Sequence, residues 1–344
     1  MTGELLSELR ATTRQALAVS AGDIVDELGL SGLLVDADRG GLGLAEPEMA
    51  LVATELGRDL SASAFLSTAV LAVTLLSRSD TEVGADLLAA VTRGSAGCAV
   101  AIAAVTPANS SVAAVPGPGA GWRLSGTAVV VSPPGVPGIV LLAAKTPDGV
   151  AVFAVDIADA VLTPADLLDP NRGLADVTVS DAPGRVVLHP ECAHSGGQIA
   201  YRRALIAVAA EQVGVARACL DSAVEYAKTR TQFGAPIGSF QAIKHRCADV
   251  LLEVELADAV LADAVRHDSL PDAELAFIVA TRAAVTGSEA CIHVHGGIGF
   301  TWEHSAHWHL RRARVNATLL GPPSVHRDAI ARSVGLTTTE EVPG

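Results

Sequence analysis

The sequence predicts an α+β fold that is mostly α: a helical domain over residues 1–95, a small antiparallel β domain over residues 96–190, and an antiparallel four-helix bundle over residues 191–344. Three observations support this order. Leucines recur at helical spacing near the start, short Val- and Ala-rich runs between Pro–Gly clusters fill the middle, and long stretches without proline follow. The short, evenly spaced runs favour antiparallel strands over βαβ units.

The composition indicates a globular protein and excludes two classes. Of the 344 residues, 50% are apolar and 3% aromatic, and 24 basic against 38 acidic side chains give a formal net charge of −14. A chain this apolar can bury a large core, so it is not a disordered protein. Its acidity argues against a nucleic-acid partner, which requires clustered Lys and Arg.

We expect a cytoplasmic protein with no membrane segment. No basic stretch precedes an apolar one at the start, and the most apolar run, residues 64–76, is shorter than the ~18 residues that a membrane span needs. The five cysteines contain no C-x-x-C pair, which argues against a disulfide framework and against a zinc ribbon.

The helical domain contains a glycine-rich turn at residues 39–44, Arg-Gly-Gly-Leu-Gly-Leu, with Pro47 starting the next helix. These glycines do not indicate a phosphate loop, because no strand precedes them and no Lys follows at the P-loop position. In the β domain, residues 139–142 and 150–155 are predicted strands, and the proline–glycine cluster at residues 133–135 is a predicted turn.

Five helical segments are predicted after residue 197. They are residues 198–229, residues 239–267 with Ser239 as N-cap, a helix opened by Asp272 and ended by Gly296 and Gly297, residues 303–319, and a last helix after Pro323.

Two motifs in the bundle could carry chemistry. Arg-Thr-Gln-Phe-Gly at residues 230–234 lies between two long helices, where a guanidinium can bind a phosphate near a helix N-terminus. A helix hairpin with a capping Arg is an equally good interpretation of that spacing. Gly296 and Gly297 end another helix, and a lone G-G-x-G allows close approach of either a ligand or another backbone segment.

A histidine group follows the second motif: His293, His295, His304, His307 and His309. His304, His307 and His309 cannot all share one helical face, and no H-E-x-x-H occurs. We therefore predict no metal site, and we expect solvated or interface histidines.

The domain order, the run R-T-Q-F-G-A-P-I-G-S-F-Q at residues 230–241 and the run H-G-G-I-G-F-T at residues 295–301 resemble the acyl-CoA dehydrogenases. The likeness covers nearly the whole chain and includes residues 30–34, 40–43 and 55–57. It implies FAD-dependent α,β-dehydrogenation of an acyl-CoA, reoxidation by an electron-transferring flavoprotein, and a tetramer in which each FAD lies between two subunits.

The resemblance also implies a set of cofactor-binding residues. Contacts with the adenosine and pyrophosphate part of a neighbouring subunit's FAD fall on Arg230, Gln232, Phe233, Ile237 and Phe240. Gly296 and Gly297 would lie close to the same cofactor. His293 stands where the family has a Gln, and it can still donate a hydrogen bond.

Other positions depart from the family pattern. The usual catalytic Glu-Gly-Thr falls on Leu320-Gly321-Pro322, and the alternative base position lies within residues 201–205, which contain no carboxylate. The Trp and Thr beside the flavin ring fall on Val130 and Ser132, and residues 105–110 keep only part of the first flavin segment.

These departures predict the supporting subunit of a heteromeric α2β2 acyl-CoA dehydrogenase, which contributes half of a shared FAD site and has no catalytic residue of its own. Such arrangements occur in bacterial sterol side-chain degradation, so the resemblance favours a bulky or steroid-linked acyl-CoA as substrate, in fatty acid or sterol side-chain degradation. Two alternatives stay open: a self-sufficient homotetramer whose base is Glu303, Glu211 or Asp328, and a structural homologue that binds no flavin.

Overall fold

The computed structural model describes residues 3–19, 22–106, 110–119, 121–132, 135 and 137–336. The chain forms two compact units, one of Met1–Val52 with Ser61–Ala204 and the other of Ala53–Leu60 with Leu205–Gly344. Helices at both ends and strands in the middle confirm the predicted fold class. The division into three domains stays a prediction.

The first part of the chain is helical, as its leucine spacing predicts. Its helices are α1 (Gly3–Val19), α2 (Ile24–Glu27), α3 (Glu46–Asp59), α4 (Val73–Ser77) and α5 (Glu82–Thr92), with a π-helical stretch at Phe65–Ala72. The predicted turn at residues 39–44 contains Gly40 and Gly43, whose φ angles of 83° and 61° favour glycine.

A seven-stranded sheet follows. Its strands are β1 (Cys98–Ala101), β2 (Ala113–Pro116), β3 (Trp122–Val131), β4 (Ile139–Thr146), β5 (Gly149–Asp156), β6 (Ala160–Pro164) and β7 (Leu174–Leu188), and the short helix α6 (Ile102–Val105) follows β1. The order of the strands in the sheet is β1-β3-β2-β4-β5-β7-β6. The long pairings are antiparallel, as predicted, and β4 also pairs in parallel with β1 and β2. The predicted strands 139–142 and 150–155 lie in β4 and β5.

The helical bundle is confirmed. It contains α7 (Pro190–Thr229), a hairpin of β8 (Thr231–Gln232) and β9 (Ala235–Pro236), α8 (Gln241–Ala264), α9 (Leu270–His295), α10 (Ala306–Leu319) and α11 (Pro323–Ser333).

Four predicted helix starts need correction. The helix predicted from residue 198 is α7, which begins eight residues earlier, at Pro190. Ser239 is not an N-cap: it lies in a 3-10 turn, its hydroxyl donates to the Pro236 carbonyl, and α8 begins two residues later. Ser269 caps α9 by accepting the Asp272 N–H, so that helix begins before Asp272. Residues 303–305 form turns, and α10 begins only at Ala306.

Within the second unit, α3 and α7 approach so closely that two glycines are required. A Cβ on Gly57 would overlap the carbonyl oxygen of Glu211, and a Cβ on Gly214 would overlap that of Thr54. Small residues let the two backbones touch directly, which suits a chain in which only 3% of residues are aromatic.

The apolar segment Leu270–Phe300 is long enough and apolar enough to cross a membrane by length and composition, and 61% of its apolar window is buried inside the protein. This burial is typical of a central helix in a bundle.

The close contact of Gly57 with the backbone of Glu211 predicts how a substitution changes the free energy of unfolding. Gly57→Ala places a methyl group against backbone that cannot rotate away, so overpacking of ~1–3 kcal/mol exceeds the ~1 kcal/mol that Ala gains over Gly in a helix. We expect the free energy of unfolding to fall, measured by urea denaturation. Gly138→Ala is the control, because its Cβ would meet only the Gly97 carbonyl oxygen, at 3.9 Å. Equal midpoints for the two variants would contradict the tight packing.

Candidate functional site

The segment between α7 and α8 is a β-hairpin, which the sequence had not indicated. Thr231 pairs with Pro236 and Gln232 with Ala235. The two residues at the turn, Phe233 and Gly234, have φ angles of 54° and 80°, which is the pattern of a type I′ turn. An aromatic residue rarely adopts this conformation, so Phe233 is held in a disfavoured backbone state.

The side chains of this hairpin point to the surface. Phe233 is 95% exposed, and its ring meets that of Phe240 edge to face with centroids 6.0 Å apart. Gln232 is exposed and donates from Nε2 to the Thr231 carbonyl. Arg230 is exposed, and among the described residues no carboxylate lies within ion-pair distance of its guanidinium. The hairpin therefore presents an unpaired cation and an aromatic ring outward.

The structure brings the first motif and the end of α9 onto one apolar core. This core contains Cys219, Ala223, Ala227, Cys291, Ile292, Val294 and Ala306. Ile237, from the first motif, packs against it half-buried. The two motifs are about 60 residues apart in the sequence, yet they pack on the same apolar core in the second unit.

The second motif is open to ligands at two of its three glycines. Gly296 (φ 60°) ends α9, and a Cβ built on Gly296 or Gly297 would meet no atom within 4 Å. Gly299 is different, because a Cβ there would lie 2.9 Å from the Ile292 carbonyl oxygen. His293 is exposed beside this loop.

The expectation of solvated or interface histidines is wrong for His295 and His309, which are 6% and 8% exposed. Both rings are enclosed by neighbouring helices and bond backbone carbonyls, which sequence spacing cannot reveal. Within the part of the chain that the structure describes, no three His, Cys, Asp or Glu side chains are grouped to hold a metal ion.

The two positions where the family carries its base hold no free carboxylate. Leu320 is 5% exposed at the end of α10. In the alternative segment, Arg202 Nη2 lies 2.5 Å and Arg203 Nε lies 3.2 Å from Glu46 Oε1. Sequence patterns do not reveal this Glu46 contact, because the partners are more than 150 residues apart.

The three alternative base candidates differ in their surroundings. Glu211 is buried and accepts from Arg312 Nη1 at 2.6 Å. Glu303 and Asp328 are exposed. Glu303 does not cap α10, since the Ala306 N–H donates to His304 Nδ1 instead.

The β-domain positions lie in the first unit. Val130 is fully buried in β3, and the Ser132 N–H donates to the Gly173 carbonyl at 2.7 Å. A cavity of about 450 Å³ beside Ser132 is lined by apolar side chains, among them Ile157, Leu162 and Leu174. The predicted turn at Pro133 and Pro134, and residues 107–109 of the first flavin segment, lie outside the described residues.

Comparisons with known proteins agree on the family. Residues 197–335 match the family described as "Acyl-CoA dehydrogenase, C-terminal domain". The chain is 32% identical to acyl-CoA dehydrogenase IpdE2 of Mycobacterium tuberculosis over 300 residues, which are 87% of this chain and 81% of that protein. It is 38% identical to acyl-CoA dehydrogenase FadE34 of the same organism over 306 residues, 86% of this chain but only 39% of FadE34.

Two solved structures extend this agreement. One is a variant of the "Tcur3481-Tcur3483 steroid ACAD", with 27% identity and a TM-score of 0.83 over 96% of this chain and 98% of that chain. The other is the ChsE4–ChsE5 complex from Mycobacterium tuberculosis, with 26% identity and a TM-score of 0.83 over 100% of this chain and 99% of that chain.

The strained, exposed turn predicts that Phe233 serves binding rather than folding. Phe233→Asn removes little packing, and Asn tolerates a positive φ, so the free energy of unfolding should stay equal or rise by up to ~1 kcal/mol. Thermal unfolding measures this. Phe300→Asn, which changes a 74% exposed aromatic residue without positive φ, should give no rise. A clear loss of stability in Phe233→Asn alone would show that the ring packs against the fold.

Proposed function

The chain belongs to the acyl-CoA dehydrogenase family, and we propose that it is the supporting subunit of a heteromeric enzyme of that family. In this proposal it completes the FAD site of a homologous partner subunit and supplies no catalytic base. The observation that carries the proposal is the contrast between its outward, unpaired Arg230 and Phe233 and the buried Leu320 at the base position.

The exposed residues of the two motifs fit the adenosine and pyrophosphate part of FAD. A pyrophosphate needs a cation that is not already neutralised, and no carboxylate pairs with Arg230 among the described residues. A planar adenine can stack on an exposed ring such as Phe233, and the open space at Gly296 and Gly297 admits a ligand close to the backbone. When bound, FAD supplies the acceptor for the hydride from the acyl-CoA.

The positions that the family uses for its catalytic base and its flavin-ring pocket do not form a complete active site in this chain. Proton removal from the α-carbon needs a carboxylate within hydrogen-bond reach, and Leu320 offers none. Glu46, beside the alternative position, is neutralised by Arg202 and Arg203. Val130 is an aliphatic side chain where the family places a Trp beside the flavin ring. The partner must therefore supply the base and the ring pocket.

The relatives support a two-subunit assembly and a steroid-linked substrate. Both solved structures have paired names, ChsE4–ChsE5 and Tcur3481–Tcur3483, and the second is named as a steroid ACAD. About three fifths of FadE34 lies outside the match, which is longer than this whole chain and leaves room for a second homologous unit. We extend the proposal to a steroid-linked acyl-CoA, to electron-transferring flavoprotein as oxidant and to a cytoplasmic location.

Flavin stoichiometry tests the proposal. The chain is purified alone and after co-expression with a homologous acyl-CoA dehydrogenase subunit, and FAD per protomer is measured by absorbance together with the molar mass in solution. We expect no flavin on the chain alone and about one FAD per pair of unlike subunits. A yellow, active homotetramer formed by the chain alone would overturn the proposal.

Arg230→Ala in the co-expressed complex tests the contact itself. Hydrogen bonds to a charged group contribute ~1.5–3 kcal/mol, so the dissociation constant for FAD should rise about 10- to 100-fold. Arg266→Ala is the matched control, because Arg266 is also exposed and has no ion pair among the described residues. Unchanged FAD affinity in Arg230→Ala would mean that another residue holds the pyrophosphate.

A further inference from the structure

Three aromatic rings from different segments stack where the two motifs meet. The ring of His295, at the end of α9, lies on Tyr226 of α7 with centroids 4.4 Å apart and an interplanar angle of 27°. The His295 ring also contacts the ring of His304, from the turn before α10, with centroids 4.1 Å apart. We call Tyr226, His295 and His304 the ring stack.

Hydrogen bonds orient both imidazoles. His295 Nδ1 lies 2.8 Å from the Cys291 carbonyl, so Nδ1 carries the proton and donates. His295 Nε2 lies 3.4 Å from Ser222 Oγ. His304 Nδ1 accepts the Ala306 N–H at 3.1 Å, at the start of α10. Because its Nδ1 accepts, the His304 ring is neutral in this arrangement.

The ring stack adjoins both candidate cofactor segments. The carbonyl of Tyr226 accepts the Arg230 N–H at 2.9 Å, which holds the start of the hairpin. His295 immediately precedes Gly296 and Gly297, and His304 ends the turn that leads back from them. The two imidazoles thus lie on either side of the glycine loop in the chain.

Resting on the proposed function, we propose that His295 and His304 are positioning residues that hold the Gly296–Gly297 loop in place on the apolar core that it shares with the Arg230 hairpin. His304 does so only in its neutral form. Protonation of His304 removes the acceptor for the Ala306 N–H and places a cation against His295. The cofactor affinity of the shared site should then fall on acidification.

The charges around the ring stack set the direction of the pH effect. Burial, and after it His295, His309 and His307, lower the pKa of His304 below its ordinary 6.5. Tyr226 and Cys291 face His295 from α7 and α9. No carboxylate lies within ion-pair distance of either ring among residues 205–336. On acidification, His304 therefore takes up its proton at a higher pH in the unfolded chain than in the folded one. The contribution of neutral His304 to the stability of the folded state is present above pH 6.5, and it is lost as the pH falls through the lower pKa of the folded state.

Two variants separate the ring contact from the titration. His295→Asn keeps a donor for the Cys291 carbonyl and removes the ring. His304→Asn keeps an acceptor for the Ala306 N–H, because Asn is a good N-cap, and does not titrate. His194→Asn is the control, since His194 is exposed and lies in the first unit.

The measurement is the FAD dissociation constant of the co-expressed complex by flavin fluorescence at pH 7.5 and 5.5, with thermal unfolding of the same samples. Loss of an aromatic contact corresponds to a change of about 2- to 10-fold in a dissociation constant. His295→Asn should therefore raise the FAD dissociation constant by that factor at pH 7.5. The wild-type complex and His194→Asn should bind FAD more weakly at pH 5.5. In His304→Asn, this pH dependence should be smaller.

The outcomes distinguish this inference from the proposed function. If both variants match His194→Asn in FAD affinity at both pH values while Arg230→Ala loses flavin, the shared site stands and the positioning role is wrong. If they lower only the melting temperature, the ring stack is merely structural and the inference is again wrong. If the chain alone forms a yellow, active homotetramer, the proposed function itself fails.

Discussion

A buried ion pair holds the second unit together. Arg312 of α10 donates to Glu211 of α7 at 2.6 Å and to the carbonyl of Leu60, just after α3, at 3.3 Å. Its side chain is 1% exposed and that of Glu211 is 9% exposed. Removing one partner of such a pair leaves a charge stranded in the core, which typically costs ~3–5 kcal/mol. Three segments distant in the sequence are thus fixed to each other.

The glycine contacts make this pairing possible. Gly57 and Gly214 let α3 and α7 touch through their backbones, so that Glu211 and Leu60 both come within reach of one guanidinium. Leu60 itself has a φ of 57°, a disfavoured value for a leucine that the surrounding contacts must maintain. With the helices fixed in this way, the ends of α7 and α9 have a rigid base on which to present the two motifs.

Several arginines of this chain bond carboxylates within the fold, and Arg230 differs from them. Arg312, Arg202 and Arg203 each bond a carboxylate and serve the fold, while no described carboxylate pairs with Arg230 on the hairpin. This difference explains why a net charge of −14 is compatible with binding an anionic cofactor. One unpaired guanidinium at the right place decides the local electrostatics, whereas exposed charges farther than about 10 Å are largely screened.

The sequence by itself predicted the fold class, the main helices of the bundle, the strands β4 and β5 and the place of both motifs. These depend on periodicity and on Pro and Gly near the element boundaries. Gly296 as the end of α9 and Pro323 as the start of α11 are such local signals. Only the tertiary structure decided the hairpin turn at Phe233, the Glu46–Arg202 pair and the ring stack. Tyr226 and His295 are far apart in the chain, and nothing in their own neighbourhoods records that packing brings them together.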